Sequence, residues 1–414
     1  MREAVVVDMV RTPFGRAGQR GAFRDITHVE LVVPLIKSIL ERNNLPAEEV
    51  DELLMGSVGI AGMLTRSRHY VFEAGLPITI SATDMNKQCG SSLQAVTQGA
   101  FAVMADMSDI VLAGGIETMD RTLPIPPGDE RNLGQIQTAE VMSKEMLPTS
   151  WEGEKKPDWT KRWYQVTEPW IMDMGQTAEK LAEVRGISRE DADQFALESH
   201  QKTFRAREEG RFADEIQPIT IGYSDGSSVI VDTDQCPRAE TSLEKLASLR
   251  PSFRPDGLVT AGNSCPRTDG ASLVLLMEKE KAKEKGLKPL ATVRHAATIG
   301  VDPTIMGIGP APATQKLLQR TGMALDDFDL VEINEAFACQ VLAVERELGL
   351  DHSKVNVNGG AVALGHPLGA TGGRLIGTIA FEMKRRNAEW GLATLCMGGG
   401  MGMSVALQRE DYGW

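Results

Sequence analysis

The 414-residue chain holds only five cysteines, Cys89, Cys236, Cys265, Cys339 and Cys396, an odd number with no closely spaced pair. Neither metal ligation through paired cysteines nor a disulfide framework is supported, and no metal is expected. The 44 Lys and Arg residues fall short of the 57 Asp and Glu, leaving a net charge of −13. The basic face of a non-specific nucleic-acid binder is therefore missing, and no nucleic-acid partner is expected. No apolar run approaches the roughly 18 residues that argue for a membrane span, which removes the membrane as a partner. At 42% hydrophobic and 24% charged residues, the composition is that of a soluble globular protein and not of a disordered one. The opening Met1-Arg-Glu-Ala-Val-Val-Val-Asp lacks the apolar core and small-residue cleavage site of a secretory signal. Its early acids argue against a transit peptide, so a cytoplasmic location is the expectation.

What is present is an alternation of Gly-rich, Val/Ile-rich strand signals with helical stretches near both ends of the chain, which reads as α/β architecture. In the first half, Val50-Asp-Glu-Leu-Leu-Met predicts a strand, Cys89-Gly-Ser-Ser opens a helix to about Met104, and Asp109-Ile-Val-Leu-Ala-Gly-Gly predicts a strand ending in paired glycines. The second half repeats the series: a strand at Phe328-Asp-Leu-Val-Glu-Ile, a helix opened by Gly369-Ala-Thr-Gly-Gly, and a strand at Ala393-Thr-Leu-Cys-Met-Gly-Gly. Two similar halves follow, with a site between them. We assign 1–120 to the N-terminal half, completed by about 259–289, and 290–414 to the C-terminal half. Residues 121–258 break the pattern and read as an inserted, mostly helical segment. It is predicted to be helical from about Thr177 to Glu209, with a break at Ile187 and Ser188 three residues before Asp191. Trp151, Trp159, Trp163 and Trp170 cluster there, read as the small core of the insertion in preference to an acyl pocket or an oligomer contact.

Four segments carry chemistry. Cys89 lies where small residues give way to an apolar-periodic helix, and free N–H groups at a helix start favour thiolate, although a lone cysteine is just as often a structural one. His366 stands in Gly359-Gly-Ala-Val-Ala-Leu-Gly-His-Pro-Leu-Gly-Ala-Thr-Gly-Gly-Arg, a rigid glycine-rich turn before a helix. No Gly-Lys-Ser/Thr follows, so a catalytic base is a better reading than a phosphate loop. Cys396 ends the last apolar strand in Cys396-Met-Gly-Gly-Gly-Met-Gly, where glycines let a ligand approach backbone N–H groups. The continuing strand-like Met403-Ser-Val-Ala-Leu argues against a dinucleotide loop. Asn334, in Asn334-Glu-Ala-Phe-Ala, places an amide at the end of the strand Leu330-Val-Glu-Ile, a weak signal by itself.

Together these segments, in this order, resemble the thiolase family: a Cys-Gly-Ser helix start, Asn-Glu-Ala-Phe, Gly-His-Pro-x-Gly-x-Thr-Gly and Cys-x-Gly-Gly-Gly. Met174-Gly-Gln-Thr-Ala-Glu and Thr260-Ala-Gly-Asn extend the resemblance over nearly the whole chain. It implies a thiolase-like α/β fold, two βαβ-type halves in α/β/α/β/α layers with the insertion between them. It also implies the reversible reaction of a 3-oxoacyl-CoA and CoA to acyl-CoA and acetyl-CoA through acyl-Cys89. His366 would withdraw the thiol proton, and Cys396 would shuttle the second proton. One oxyanion site would be His366 with a water held by Asn334, the other the N–H groups of Cys89 and Gly398. The resemblance maps Arg250 to the nucleotide end of CoA, and Met174, Ala261 and Phe337 to the pantetheine tunnel. The four basic residues against two acidic in the stretch 200–211 either add local charge for CoA or form a solvated helix face. It implies no tightly bound cofactor, CoA as co-substrate, and a homodimer or homotetramer.

Two positions depart from the family pattern. Cys265 replaces a serine that usually touches the pantetheine. Asp173 replaces a histidine found in acetoacetyl-specific biosynthetic members, which leaves room for longer, β-oxidation-type chains. The alternatives are a related condensing enzyme of the sterol-carrier-thiolase or ketoacyl-synthase type, opposed by Asn334-Glu-Ala-Phe and Cys396, and a non-catalytic thiolase-fold scaffold, opposed by retention of all four candidate positions. A cysteine hydrolase has no use for a second thiol. Cys236 and Cys339 are read as packing residues.

Overall fold

The structure, a computed structural model, describes residues 2–59, 65–119 and 173–410. The first half contributes strands β1 (Ala4–Arg11), β2 (Gly15–Arg16), β3 (Glu52–Gly56), β4 (Ser81–Met85) and β5 (Ile110–Glu117), with helices α1 (His28–Arg42), α2 (Arg66–Glu73) and α3 (Ser91–Met104). The insertion supplies α4 (Met174–Arg185), α5 (Arg189–Glu208), the hairpin β6 (Ile219–Gly222) and β7 (Ser228–Val231), and α6 (Leu243–Ala247). Strand β8 (Thr268–Glu278) returns to the first sheet, and α7 (Lys279–Glu284) leads away from it. The second half has β9 (Ala291–Gly300), α8 (Pro310–Thr321), β10 (Leu330–Ile333), α9 (Ala338–Leu348), α10 (Ala361–Leu364), α11 (Thr371–Arg386), β11 (Trp390–Met397) and β12 (Met401–Arg409).

The strands run in the order β10-β11-β12-β9-β1-β8-β5-β3-β4. Strands β1 and β9 meet at only two residue pairs, Val5↔Thr292 and Val6↔Ala291, so the path divides there into two sheets with the same internal order. In the first, β3 is parallel to both β4 and β5, and β5–β8–β1 is antiparallel. In the second, β10 is parallel to β11, and β11–β12–β9 is antiparallel. The counterpart of β4 is reduced to the parallel bridge Val331↔Val355.

Three apolar clusters define five layers. The central cluster joins Val111 and Leu276 of the first sheet, Leu93 and Val96 of α3, Ile376 and Ile379 of α11, and Leu395 and Val405 of the second sheet. Helices α3 and α11 thus lie between the sheets, and α11 is buried continuously from Thr371 to Met383. Space between sheets is short: a methyl on Gly377 would lie 2.0 Å from Met9 Cε, and one on Gly372 would lie 2.2 Å from the Leu93 nitrogen. A second cluster packs α1 and α2 on the outer face of the first sheet, through Leu31, Leu35 and Tyr70. The apolar face of α1 recurs at Leu31, Val32, Leu35, Ile36, Ile39 and Leu40, and a Thr27–Glu30 capping box starts the helix. The third cluster covers the outer face of the second sheet with α8 and α9 and with α4 and α5 of the insertion. The insertion therefore packs on both halves, α4 and α5 on the second and the β6 strand, through Ile219 and Ile221, on the first. Near its end the buried Arg11 of β1 pairs with Glu215 at 3.0 Å and Asp234 at 2.7 Å.

The helix start at Ser188 is capped as expected, its Oγ accepting Asp191 N–H at 3.0 Å. The β6–β7 hairpin is strand structure within the insertion that the reading as mostly helical did not specify. The tryptophan cluster and the beginning of the insertion lie outside the described residues. One correction concerns the duplicated series. Strand β5 continues to Glu117, so Gly114 and Gly115 lie inside it, whereas Gly398 follows the end of β11. The two glycine pairs are not equivalent.

Candidate active site

The central helices α3 and α11 begin side by side, with Gly373 N–H donating to Ser92 Oγ at 3.1 Å. Cys89 and His366 stand on the loops that feed these two helix starts. Gln88, just before Cys89, holds a left-handed φ of +52°, and the hydroxyl of Ser91 donates to the Gln88 carbonyl at 2.6 Å. The turn presents the Cys89 thiol at the end of the second sheet, where Gly90 packs against Met397 so closely that a methyl would lie 2.3 Å from its sulfur. Burial pushes the Cys89 thiol up to about 11, outweighing the N–H groups of Gly398 and of Cys89 itself, which point at the sulfur and favour thiolate. The helix start therefore does not make a resting thiolate, contrary to the sequence expectation. Desolvation wins, and deprotonation requires a base.

The His366 imidazole is buried. Its Nδ1 is 2.6 Å from Thr371 Oγ1, and that hydroxyl donates its single hydrogen to the Pro367 carbonyl at 3.0 Å. Thr371 must then accept from Nδ1–H, which leaves Nε2 as an acceptor facing Asn334 Nδ2 at 3.3 Å. Burial and the nearby Arg374 push the imidazole down to about 3. At neutral pH the ring is thus an uncharged base with its lone pair on Nε2. The loop that carries it is pinned by first-half groups, with Thr268 Oγ1 accepting His366 N–H at 3.2 Å and Ser272 Oγ donating to the Ala370 carbonyl at 2.6 Å.

Asn334 is fully buried one residue past β10, its N–H bonded to the Thr394 carbonyl at 3.0 Å. The parallel register Ile333↔Thr394 sets it beside the end of β11, where Cys396 is buried. Burial raises the Cys396 thiol, and charge on Cys89 or Cys265 would raise it further, which places the three thiols within electrostatic reach of one another. Asn334 Oδ1 has no hydrogen-bond partner among the described residues. The glycines at 398–400 form the turn from β11 to β12, with Gly399 and Gly400 at φ +84° and +79°, values that favour glycine.

Of the five residues mapped to CoA, Met174 and Cys265 lie by this centre, the first beside Gly398 and the second within electrostatic reach of Cys89. Met174 is partly exposed, and its sulfur would lie 3.6 Å from a methyl on Gly398. Phe337 packs edge-on against Phe253 at 6.3 Å, Cys265 N–H donates to the Ala336 carbonyl at 3.1 Å, and Ala261 is exposed on the turn just before. Arg250 is exposed and lines neither of two adjoining cavities of about 320 and 390 Å³ near α5 and α6, whereas Arg238 lines both. Asp173 caps α4, accepting Gly175 N–H at 2.9 Å. Cys236 and Cys339 are buried, and the Cys339 sulfur lies 3.7 Å from the Ala178 carbonyl. Among the described residues no group of His, Cys, Asp and Glu could hold a metal ion.

Sequence reasoning did not single out Thr371, which holds the His366 ring, or Gln88, which shapes the turn before Cys89. The helix-opening threonine after Gly-His-Pro was a readable signal for the first, whereas the left-handed backbone of the second is not displayed by one sequence.

Two family models match the chain: "Thiolase, N-terminal domain" over residues 4–280 and "Thiolase, C-terminal domain" over residues 287–409. An acetyl-CoA acetyltransferase of Pseudomonas aeruginosa is 44% identical over 413 residues, covering 99% of this chain and 100% of that protein. The crystal structure of the Bacillus anthracis acetyl-CoA acetyltransferase superposes with a TM-score of 0.86 at 40% identity, covering 99% of both chains. That of human mitochondrial 3-ketoacyl-CoA thiolase gives 0.84 at 36% identity, again covering 99% of both.

Proposed function

The chain belongs to the thiolase family and is an acyltransferase, and from that premise we propose how its own residues carry the reaction. In the cleavage direction the Cys89 sulfur attacks the 3-oxo carbon of a 3-oxoacyl-CoA while His366 Nε2 takes the thiol proton. The bond between C2 and C3 then breaks, its electron pair leaves as the enolate of acetyl-CoA, and Cys396 supplies the proton to that carbon. The acyl group stays on Cys89 until the thiol of CoA gives its proton to the Cys396 thiolate and attacks the acyl carbon, and the Cys89 sulfur leaves and takes back its proton from His366 as acyl-CoA is released. Condensation is the reverse, with Cys396 removing the α-proton.

The observations that support this reading are a protonated, desolvated thiol at Cys89 and a neutral buried imidazole at His366 with its lone pair on Nε2, carried on loops that feed two adjoining helix starts. Such a pair is poised for proton transfer during attack and not before it. The N–H groups of Cys89 and Gly398 converge on the sulfur, which supports their use as one oxyanion site once the sulfur has bonded to carbon. The open acceptor on Asn334 Oδ1 supports a water there, completing the second with His366.

For CoA, Met174, Phe337, Ala261 and Cys265 form the pantetheine side. For the nucleotide end the reading keeps Arg250, with the cavities lined by Arg238, Arg205 and Lys245 as a second basic surface for it. The same reading keeps the division into 1–120 with about 259–289, 121–258 and 290–414, a homodimer or homotetramer, no tightly bound cofactor, and a cytoplasmic location. Among the described residues no helix is long and apolar enough to cross a membrane.

The test is CoA-dependent cleavage of acetoacetyl-CoA beside 3-oxohexanoyl- and 3-oxodecanoyl-CoA, followed as loss of enolate absorbance. Turnover confined to acetoacetyl-CoA assigns an acetyl-CoA acetyltransferase. Comparable or faster turnover of the longer esters assigns a broad 3-oxoacyl-CoA thiolase, and no turnover of any contradicts the proposal.

A further inference from the structure

Given His366 as the base of the reaction above, we propose that Glu117 is a positioning residue for it, holding the His366 loop against the first half and so fixing where its imidazole sits. Glu117 ends β5, and its side chain is fully buried. One carboxylate oxygen accepts Val58 N–H at 3.0 Å and Gly369 N–H at 2.9 Å, and the other accepts Gly59 N–H at 2.8 Å. Gly369 lies three residues after His366 and two before Thr371, which fixes the imidazole tautomer. All three partners are donors and so call for a carboxylate. Two of them belong to the first half and the third to the loop of the base.

The fit around this contact leaves no slack. A methyl on Gly369 would lie 2.3 Å from the Ile116 carbonyl oxygen, and one on Gly115 would lie 1.9 Å from the Gly369 carbonyl oxygen. The loop is therefore pressed onto the ends of β3 and β5, and Glu117 supplies the polar bond across that junction. The duplication sharpens the point. Ser91 and Thr371 each open their central helix, so Gly369 is the counterpart of Cys89. The N–H that adjoins the reacting sulfur at one site is, at its twin, closed by the chain's own carboxylate. Glu117 touches neither of the cavities assigned to CoA, so its effect should fall on kcat and not on KM.

The experiment compares wild type, Glu117→Gln, Glu117→Asp and His366→Ala. It measures kcat and KM for acetoacetyl-CoA thiolysis, and the pH profile of Cys89 alkylation by iodoacetamide, read at the Cys89 peptide by mass spectrometry. Glu117→Gln keeps the shape and replaces one acceptor oxygen by a donor. The expected result is a folded variant with kcat reduced 10- to 100-fold, KM within 2-fold, and Cys89 alkylation displaced to higher pH toward the His366→Ala profile, against the opposite displacement that loss of the Glu117 charge alone would give, since that charge raises the Cys89 thiol. Glu117→Asp should be intermediate. An alkylation profile superimposed on that of wild type overturns the proposal, as does failure of both Glu117 variants to fold, which would make the residue structural only. A wild-type profile unchanged by His366→Ala would instead overturn the role of His366 itself, a different failure from that of Glu117.

Discussion

Asp51 and Asp329 perform the same task in opposite halves. Asp51 Oδ2 accepts the N–H groups of Asp109 and Ile110 at the start of β5, and Asp329 Oδ2 accepts those of Glu389 and Trp390 at the start of β11. From these matched beginnings the two strands reach unlike ends. Strand β11 turns through Gly398–Gly400 directly into β12 and exposes N–H groups beside a thiol, whereas β5 ends in a buried carboxylate and the chain departs into the insertion before returning as β8. The difference teaches that one scaffold was duplicated but only one of its two equivalent corners was kept open for chemistry. The other corner is closed by Glu117 and serves to seat the loop of His366.

The largest expected break in that comparison is chemical. Cys89→Ala should lower thiolysis kcat by roughly 10³-fold or more while the protein still folds, because the nucleophile has no substitute at Gly369. A residual rate within 10-fold of wild type would show that the thiol is not the nucleophile. Next is pH. His366 and His200 are held neutral by burial, at about 3 and about 4, below the ordinary value near 6.5. The unfolded chain binds protons that the folded chain refuses, so stability should fall as pH drops from about 6.5 toward 4, by on the order of 1–3 kcal/mol for each histidine. Urea denaturation at pH 7 and pH 4.5 checks the sign, and equal stability at both would contradict it.

A finer test sets Gly369→Ala against Gly398→Ala. The first methyl meets backbone at 2.3 Å, whereas the second has nothing nearer than 3.6 Å. Gly369→Ala should cost about 1–3 kcal/mol or more of stability. Gly398→Ala should leave the melting curve nearly unchanged and impair turnover, since its methyl points toward Gln88 and Met174 at the site. Reversal of the two outcomes would break the assignment of closed and open corners. The smallest effect is expected at the matched beginnings, where Asp51→Asn and Asp329→Asn should each cost about 1 kcal/mol and by similar amounts, in chemical denaturation. A large disparity would mean that the two bonds are equivalent in geometry alone.

Much of this comparison was legible in the sequence. The repeated order of strand, Gly-rich helix start and strand was readable in both halves, and the residue types at Cys89, His366, Cys396 and Asn334 singled out the candidate centre. The register of the halves was not, because Gly114-Gly115 reads locally as a strand end. Its reason is instead a distant one, the approach of the His366 loop across the seam between halves. The hairpin of β6 and β7 was readable, since Asp225-Gly226 lies between Ile219-Thr-Ile and Val229-Ile-Val, with Gly226 at φ +84°. The charge state of Cys89 was not. A helix start argues for thiolate, and only the packing around the sulfur shows that desolvation outweighs it. Glu117 gave no signal at all, since its partners lie 58, 59 and 252 positions away.

The central claim is that the open corner forms an acyl-enzyme at Cys89 with His366 as its base. The most direct measurement is incubation with carbonyl-labelled acetyl-CoA, an acid quench, and peptide mapping of wild type and His366→Ala. The account predicts one acetyl group per chain on Cys89 in wild type, removed as acetyl-CoA on adding CoA, and little or no label in His366→Ala over the same time. Absence of label in the wild type, label on Cys396 or Cys265 instead, or a Cys89 acetyl group that CoA does not remove would contradict it.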